Sequence, residues 1–177
     1  HQLDGDWSTP NIFQFTKGPL LKDTRHLDPR SLDCLDYLIH CLKQEGIYVY
    51  LDLLTYRRFR TGDGVAAADQ MGNAGRPYSN FDPRLIELQK EFCTQIWTHV
   101  NPYTGLAYRD DPAIALTEIA NENEMFDDMA NLVEPYRSAL EARYAAWLER
   151  RGLPAAPGPV AFEKTTENLL AFIVETM

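Results

Sequence analysis

The sequence predicts an α/β fold in which helices flank a parallel sheet. Stretches with apolar residues at helical spacing alternate with short, continuously apolar stretches, and proline or glycine stands at the boundaries between them. Such alternation, joined by right-handed crossovers, places the strands parallel to one another. The chain has 177 residues, of which 45% are apolar, so it is long enough and apolar enough to bury a core.

The first helix and the first strand are predicted between residues 28 and 53. Asp28 precedes Pro29, the order of a helix N-cap followed by proline at the first helical position. Apolar residues then recur at helical spacing until Gly46, which ends the helix. Residues 47–53 are apolar, β-branched or aromatic, as expected for a buried parallel strand.

The same order recurs further along the chain. Asp82 and Pro83 open a second helix, and residues 113–120 form a second predicted strand. Two more helices are predicted after it, over residues 134–151 and 165–177. Two parallel strands cannot bury both faces of a sheet, so we expect further strands of the fold to be missing at both ends.

Two connections are unusual in length or composition. Residues 55–81 form a loop far longer than most connections, which is typical of a functional lid or a mobile segment. The first part of this loop could bind a polar ligand through Tyr56, Arg57, Arg58 and Arg60. We interpret these four residues instead as a solvated basic group. The second connection, residues 153–159, is a loop rich in proline and alanine.

Composition argues against several classes of partner. The chain has 17 basic and 26 acidic residues and a net charge of −9, whereas nucleic acids and anionic membranes attract basic surfaces. No apolar run reaches membrane-spanning length, and the first residues lack the regions of a signal peptide, which leaves the compartment open. Neither a phosphate-binding glycine loop nor a metal-type histidine spacing occurs, so we predict no cofactor and no metal. We expect three buried thiols: Cys34, Cys41 and Cys93.

The candidate catalytic residues lie at the C-terminal end of the second predicted strand. Strand alternation places Glu118 and Glu122 on one face, and a buried carboxylate is costly unless it is paired or used. The alternative is that Asn121 and Glu122 merely start a loop or cap the next helix. Because the pair closes a buried strand in an alternating α/β pattern, we favour a functional role.

Residues 118–122 resemble the E-[LI]-x-N-E signature that closes the fourth strand of clan A glycoside hydrolases, cellulase- and mannanase-like enzymes of family five and its relatives. The resemblance implies a partial (β/α)8 TIM barrel and a retaining hydrolase of β-linked carbohydrate. It assigns Asn121 to the hydrogen bond with the sugar 2-hydroxyl and Glu122 to the acid/base. Secretion or a periplasmic location is favoured by the same resemblance.

Three other stretches are similar to the same clan. Residues 46–53 resemble its third strand, and residues 111–115 resemble the run before its fourth strand. Residues 1–7 resemble the loop that leaves the second strand, which implies that His1, Asp4 and Trp7 contact the sugar. This chain departs from the pattern at Leu54, where the clan has a histidine at the cleavage point.

Residues on the first strand have less distinct roles. Tyr48, Tyr50 and Asp52 share one strand face, and we expect the tyrosines to pack in the core. Asp52 either makes structural hydrogen bonds or supports the catalytic groups, and Glu118 is assigned the same supporting role.

The resemblance implies that residues 1–177 are one fragment of a barrel domain, running from the exit of the second strand to the helices after the fourth. The clan's nucleophile lies on the seventh strand, so we expect the chain alone to be inactive and its open sheet to self-associate. The substrate would be an oligo- or polysaccharide, with no nucleic-acid or membrane partner. The alternative is a non-catalytic carbohydrate-binding or interaction protein on a decayed barrel, which Leu54 slightly favours.

Overall fold

The structure is a computed structural model that describes residues 3–5, 11–16, 18–71, 75–122, 129–162, 164 and 166–177. Its described helices and strands follow the predicted order. They are α1 (Pro29–Gln44), β1 (Val49–Leu54), α2 (Pro83–Thr98), β2 (Ile114–Ala120), α3 (Tyr136–Arg150) and α4 (Glu167–Thr176). Four 3-10 turns lie between them, at Thr61–Asp63, Tyr78–Asn80, Tyr108–Asp110 and Met129–Asn131.

The two strands form a parallel sheet, as the alternation of elements predicts. Val49 of β1 lies opposite Ile114 of β2; after a register shift between Val49 and Tyr50, the pairing runs from Tyr50 opposite Leu116 to Leu54 opposite Ala120. The helix α2 connects them, which is the βαβ unit that parallel pairing requires. Among the described residues, no further strand joins this sheet.

Both long helices before the strands begin at the predicted caps. The Asp28 carboxylate accepts hydrogen bonds from the backbone N–H groups of Arg30 and Ser31, at 2.9 and 3.1 Å. Asp82 caps α2 in the same way. A proline follows each cap, where its missing N–H costs nothing because no intrahelical partner exists there. The α1 helix stops just before Gly46, whose φ of +70° suits glycine.

One face of the sheet is covered along its length, whereas the other is open at the start of β1. Leu51 and Leu53 of β1 are almost completely buried in a core cluster that includes residues of α1 and α2. The predicted core packing of the two tyrosines is wrong: Tyr48 is 73% exposed and Tyr50 is 44% exposed. They alternate with the buried leucines and therefore point to the opposite face, which the described helices leave open.

Two apolar cores meet along α2. Its C-terminal half contributes Phe92 and Ile96 to the core formed with α1 and β1. Its N-terminal half contributes Leu85 and Leu88 to a second core, which is completed by the long loop, α3 and α4. The position of α2 thus fixes how the sheet and the two C-terminal helices are placed.

The long loop of residues 55–81 belongs largely to the second core. Phe59, Val65, Met71 and Tyr78 are each buried, and the Tyr78 ring packs edge-on against Tyr136 of α3 at a centroid distance of 4.9 Å. The described part of this loop therefore packs against helices. Its many residues are explained by the share of the second core that they supply.

The cysteines are free thiols, but the prediction that all three are buried is wrong for Cys34, which is exposed. Cys41 and Cys93 are partly buried. Within the described residues, no helix combines the length and the apolar character needed to cross a membrane.

An ion pair between the partly exposed Lys43 and the buried Asp111 joins the end of α1 to the turn before β2. Lys43 donates to the Asp111 carboxylate at 2.9 Å, and the same carboxylate oxygen accepts the backbone N–H of Ala113 at 2.9 Å. Burial alone would raise the pKa of Asp111, but these hydrogen bonds outweigh it and hold the pKa below its ordinary value.

We predict that Lys43→Met lowers the free energy of unfolding by about 2 kcal/mol at pH 6, because it leaves the buried Asp111 carboxylate without its cation. A lowered folded-state pKa stabilises the fold above the unfolded pKa, and this contribution disappears as pH falls through the folded pKa. Urea unfolding at pH 6 and pH 3 should therefore show a smaller loss at pH 3.

The matched control is Arg109→Met, since Arg109 pairs with Asp110 at the surface, where both side chains are 61% exposed. Its effect should stay below about 0.5 kcal/mol. An equal loss for Lys43→Met at both pH values would show that packing, and not the charge on Asp111, is responsible.

Candidate active site

Glu122 follows directly after β2, at the C-terminal edge of the sheet. The backbone N–H of Asn121 donates to the carbonyl of Leu54 at 2.9 Å, which extends the pairing of the two strands by one residue. Glu122 then adopts a φ of +47°, in the left-handed region that non-glycine residues rarely occupy. Such an outlier at the end of a strand turns the chain sharply and is common at functional sites.

Two side chains from the long loop approach the Glu122 carboxylate. The Tyr56 hydroxyl donates to Oε2 at 3.3 Å, and Nη1 of Arg76 lies 3.8 Å from the same oxygen. The Glu122 side chain is 67% exposed, whereas that of Arg76 is 14% exposed. The loop thus provides a donor and a cation on one side of a carboxylate whose other side is open.

Arg76 is itself anchored to the turn after β1. Its Nη2 donates to the carbonyl of Thr55 at 2.9 Å, and its guanidinium lies 4.9 Å from the centroid of the Tyr56 ring. The preceding residue, Gly75, is tightly packed, because a Cβ there would lie 2.7 Å from side-chain atoms of both Leu85 and Phe59. Gly75 also has a φ of +56°, which favours glycine.

Asp4 holds the turn that carries Tyr56. Its carboxylate accepts three consecutive backbone N–H groups, those of Thr55, Tyr56 and Arg57, at 2.9, 3.1 and 3.1 Å. Burial raises the pKa of Asp4, and the three N–H donors oppose that change. With 1% of its surface exposed, Asp4 is not placed to contact a ligand, contrary to its assignment from the resemblance.

Arg57 is buried, so its interpretation as part of a solvated basic group is wrong. It donates to the Thr24 side chain, the Thr24 carbonyl and the Leu88 carbonyl at 2.9, 2.8 and 3.1 Å. Burial lowers its pKa to about 10, although nearby carboxylates, first among them Asp63, act in the opposite direction. Arg58 on the neighbouring position is exposed, as predicted.

The sheet face that carries Tyr50 and Glu118 becomes polar towards the C-terminal edge, where Glu122 lies. The Tyr50 hydroxyl donates to the Glu118 carboxylate at 2.6 Å, and this hydrogen bond raises the pKa of Tyr50 to about 12. Asp52 lies opposite Glu118 in the strand register and is buried. The structure therefore brings both predicted supporting carboxylates onto the face that ends at Glu122.

The other predicted site residues divide into two groups. Asn121 is half-buried and next to Glu122, as the sequence motif requires. His1 and Trp7 lie outside the described residues. Arg76 was not predicted as a site residue: the Gly-Arg-Pro order at residues 75–77 signals a turn, but nothing in it indicates proximity to Glu122.

These groups can support proton transfer at an exposed carboxylate. Glu122 can exchange a proton with a bound molecule, Asn121 can hydrogen-bond a hydroxyl, and Tyr56 can hold one carboxylate oxygen. Among the described residues, no cluster of three or more histidine, cysteine or acidic side chains is arranged to hold a metal ion.

Comparison with known proteins finds similarity to plant mannanases. The chain is 32% identical to mannan endo-1,4-beta-mannosidase 2 of Arabidopsis thaliana over 109 residues, which cover 58% of this chain and 25% of that protein. It is 27% identical to the protein of the same name from Oryza sativa subsp. japonica over 113 residues, or 58% of this chain and 24% of that protein. No protein-family model matches the chain.

The similarity relates this chain to glycoside hydrolases, the general class of enzyme that the sequence motif predicts. The chain spans about a quarter of the length of the curated relatives it matches. The described fold, mixed helices and a small parallel sheet, is compatible with part of an α/β enzyme.

We predict that Asp4→Asn lowers the free energy of unfolding by roughly 3 kcal/mol. The amide presents an NH2 group where the carboxylate accepts backbone N–H groups, which leaves at least one buried donor unpaired. Amide hydrogen exchange should accelerate at Tyr56 and Arg57, the turn that Asp4 holds.

The control for this change is Asp110→Asn, because Asp110 is exposed and pairs with its neighbour Arg109 at the surface. It should leave both the unfolding free energy and the exchange rates of the turn unchanged. Slow exchange at Tyr56 in the Asp4→Asn variant would contradict the assigned role of Asp4.

Proposed function

We propose that this chain is part of a retaining O-glycoside hydrolase that acts on β-linked carbohydrate, with Glu122 as the acid/base. The observation that supports this most directly is the position of the Asn121–Glu122 pair, immediately after β2 at the C-terminal edge of a parallel sheet. Enzymes built on parallel α/β barrels place their reacting groups at that edge. The similarity to plant mannosidases supports the same class of reaction.

In this mechanism Glu122 acts in both steps of a double displacement. A nucleophilic carboxylate bonds to the anomeric carbon while the glycosidic C–O bond breaks and Glu122 gives its proton to the departing oxygen. Water then bonds to the anomeric carbon, its proton returns to Glu122, and the nucleophile is released. Asn121 would hold the sugar 2-hydroxyl, as the resemblance implies.

The nucleophile would come from a part of the enzyme outside these 177 residues. A retaining mechanism requires two carboxyl groups about 5–5.5 Å apart on opposite sides of the bond. In the clan that the motif resembles, that second group closes the seventh strand. We therefore propose that these residues form one fragment of a TIM-barrel domain and do not turn over substrate alone.

The substrate that the relatives suggest is a β-1,4-linked mannan. Both are named as mannan endo-1,4-beta-mannosidases, and we propose the same linkage for the enzyme to which this chain belongs. Leu54, which is buried where the clan has histidine, is the reason to test other β-linked polysaccharides beside mannan.

We predict that Glu122→Gln, made in the longest protein that contains this chain, reduces polysaccharide cleavage by about 10²- to 10⁴-fold, the usual contribution of general acid–base catalysis. The measurement is reducing-sugar release from mannans, β-glucans and β-galactans, with folding checked by circular dichroism. Glutamine keeps the shape of the side chain but cannot exchange the proton.

The control is Glu87→Gln on the exposed surface of α2, where Glu87 pairs with Arg84. It should retain full activity. Undiminished cleavage by Glu122→Gln would remove Glu122 from the mechanism, and a parent protein that binds polysaccharide without cleaving it would favour the non-catalytic carbohydrate-binding function.

We also predict that the 177-residue chain self-associates. Leu116 and Ile119 are 66% and 67% exposed on opposite faces of β2, and β2 forms one edge of the two-stranded sheet. Open edges with apolar side chains pair with other chains. Sedimentation velocity should show oligomers that Leu116→Lys reduces.

Leu20→Lys is the matched control, because Leu20 is 76% exposed and lies outside the sheet. It should leave the distribution of oligomers unchanged. A monodisperse monomer of the unmodified chain would contradict the prediction.

A further inference from the structure

The side chains that surround the Glu122 carboxylate suggest a role beyond the Asn–Glu motif. Tyr56 and Arg76 both come from the long loop after β1, and both approach the same oxygen, Oε2. They also contact each other, since the Arg76 guanidinium lies over the Tyr56 ring. A carboxylate held on one oxygen by a hydroxyl and a cation keeps its other oxygen available for proton transfer.

The pair is built into the fold and is not a chance surface contact. The backbone around Tyr56 is fixed by the buried Asp4 carboxylate. Arg76 is largely buried and bound to the Thr55 carbonyl, so its position depends on the same turn. By contrast, Glu122 is mostly exposed and adopts a left-handed φ, so its carboxylate depends on neighbouring side chains for orientation.

We infer that Tyr56 and Arg76 are positioning residues that orient the acid/base Glu122 by holding its Oε2. This inference rests on the proposed function of Glu122. Because the pair acts by orienting Glu122, removing either residue should slow the steps in which Glu122 transfers a proton. A step that needs no proton transfer should keep its rate.

The experiment compares two substrates of the longest protein that contains this chain. Cleavage of a polysaccharide requires a proton on the departing sugar oxygen, whereas a dinitrophenyl glycoside of the preferred sugar releases a stable phenolate without one. For both substrates kcat/KM reports the first step. Tyr56→Phe and Arg76→Met should lower kcat/KM on polysaccharide about tenfold, a fraction of the whole acid–base contribution.

On the dinitrophenyl glycoside, kcat/KM should stay within about twofold of the unmodified enzyme, while kcat falls because Glu122 must still activate water in the second step. In a Glu122→Gln background, Tyr56→Phe should cause no further loss on polysaccharide, since the two changes remove one function. These three results together support the positioning role.

Two surface variants serve as matched controls. Tyr103→Phe removes a tyrosine hydroxyl that donates to Asp33 at the exposed surface, and Arg25→Met removes an exposed arginine that pairs with Glu91. Neither should change either substrate's kinetics. If Arg76→Met fails to fold, Arg76→Lys, which keeps a cation, and Tyr56→Phe carry the test.

Equal losses of kcat/KM on both substrates would overturn the inference, because a loosened loop impairs every step alike. Unchanged activity in Tyr56→Phe and in Arg76→Met would also overturn it. Failure of the proposed function has a different signature, namely full polysaccharide cleavage by Glu122→Gln.

Discussion

The arrangement of the two apolar cores depends on the contacts that the buried guanidinium of Arg57 makes. It donates to Thr24 and to the Leu88 carbonyl of α2, and its carbon lies 4.8 to 5.7 Å from the ring centroids of Phe13, Phe59 and Phe92. These rings belong to both apolar cores. A pKa of about 10 keeps the group charged at neutral pH, so the fold must satisfy a cation at the junction of its two cores.

That requirement also explains why the turn after β1 is so well fixed. The Asp4 carboxylate accepts three backbone N–H groups of this turn, and the Arg57 side chain anchors the turn to Thr24. Tyr56, between these anchors, has little freedom and reaches Glu122 across the end of the sheet. The core and the candidate site therefore share this turn. A substitution that loosens the turn would alter the orientation of the Glu122 carboxylate even if the substituted residue does not contact it.

The elements that the sequence predicts well are those with local signals. The Asp-Pro caps and the apolar spacing of α1 and α2 require no knowledge of distant residues, and the start and direction of the strands follow from them. The errors concern residues whose surroundings come from far along the chain. Arg57 is buried because Thr24 and Leu88 surround it, and Tyr48 is exposed because no described element covers its face. Arg76 meets Glu122 across a separation of 46 positions, which no local pattern encodes.

The exposure of Glu122 and that of β2 have the same physical cause. β2 forms an open edge of the two-stranded sheet, Leu116 and Ile119 face solvent on its two faces, and Glu122 lies just beyond its end. A general acid works best in a site that excludes water and favours its protonated form. The rest of a barrel would pair with the open edge of β2, cover the apolar side chains on its two faces and shield the carboxylate from water. The chain thus supplies the motif, its orienting pair and the rigid turn, whereas the environment that would make Glu122 an effective acid requires the rest of the barrel that we propose.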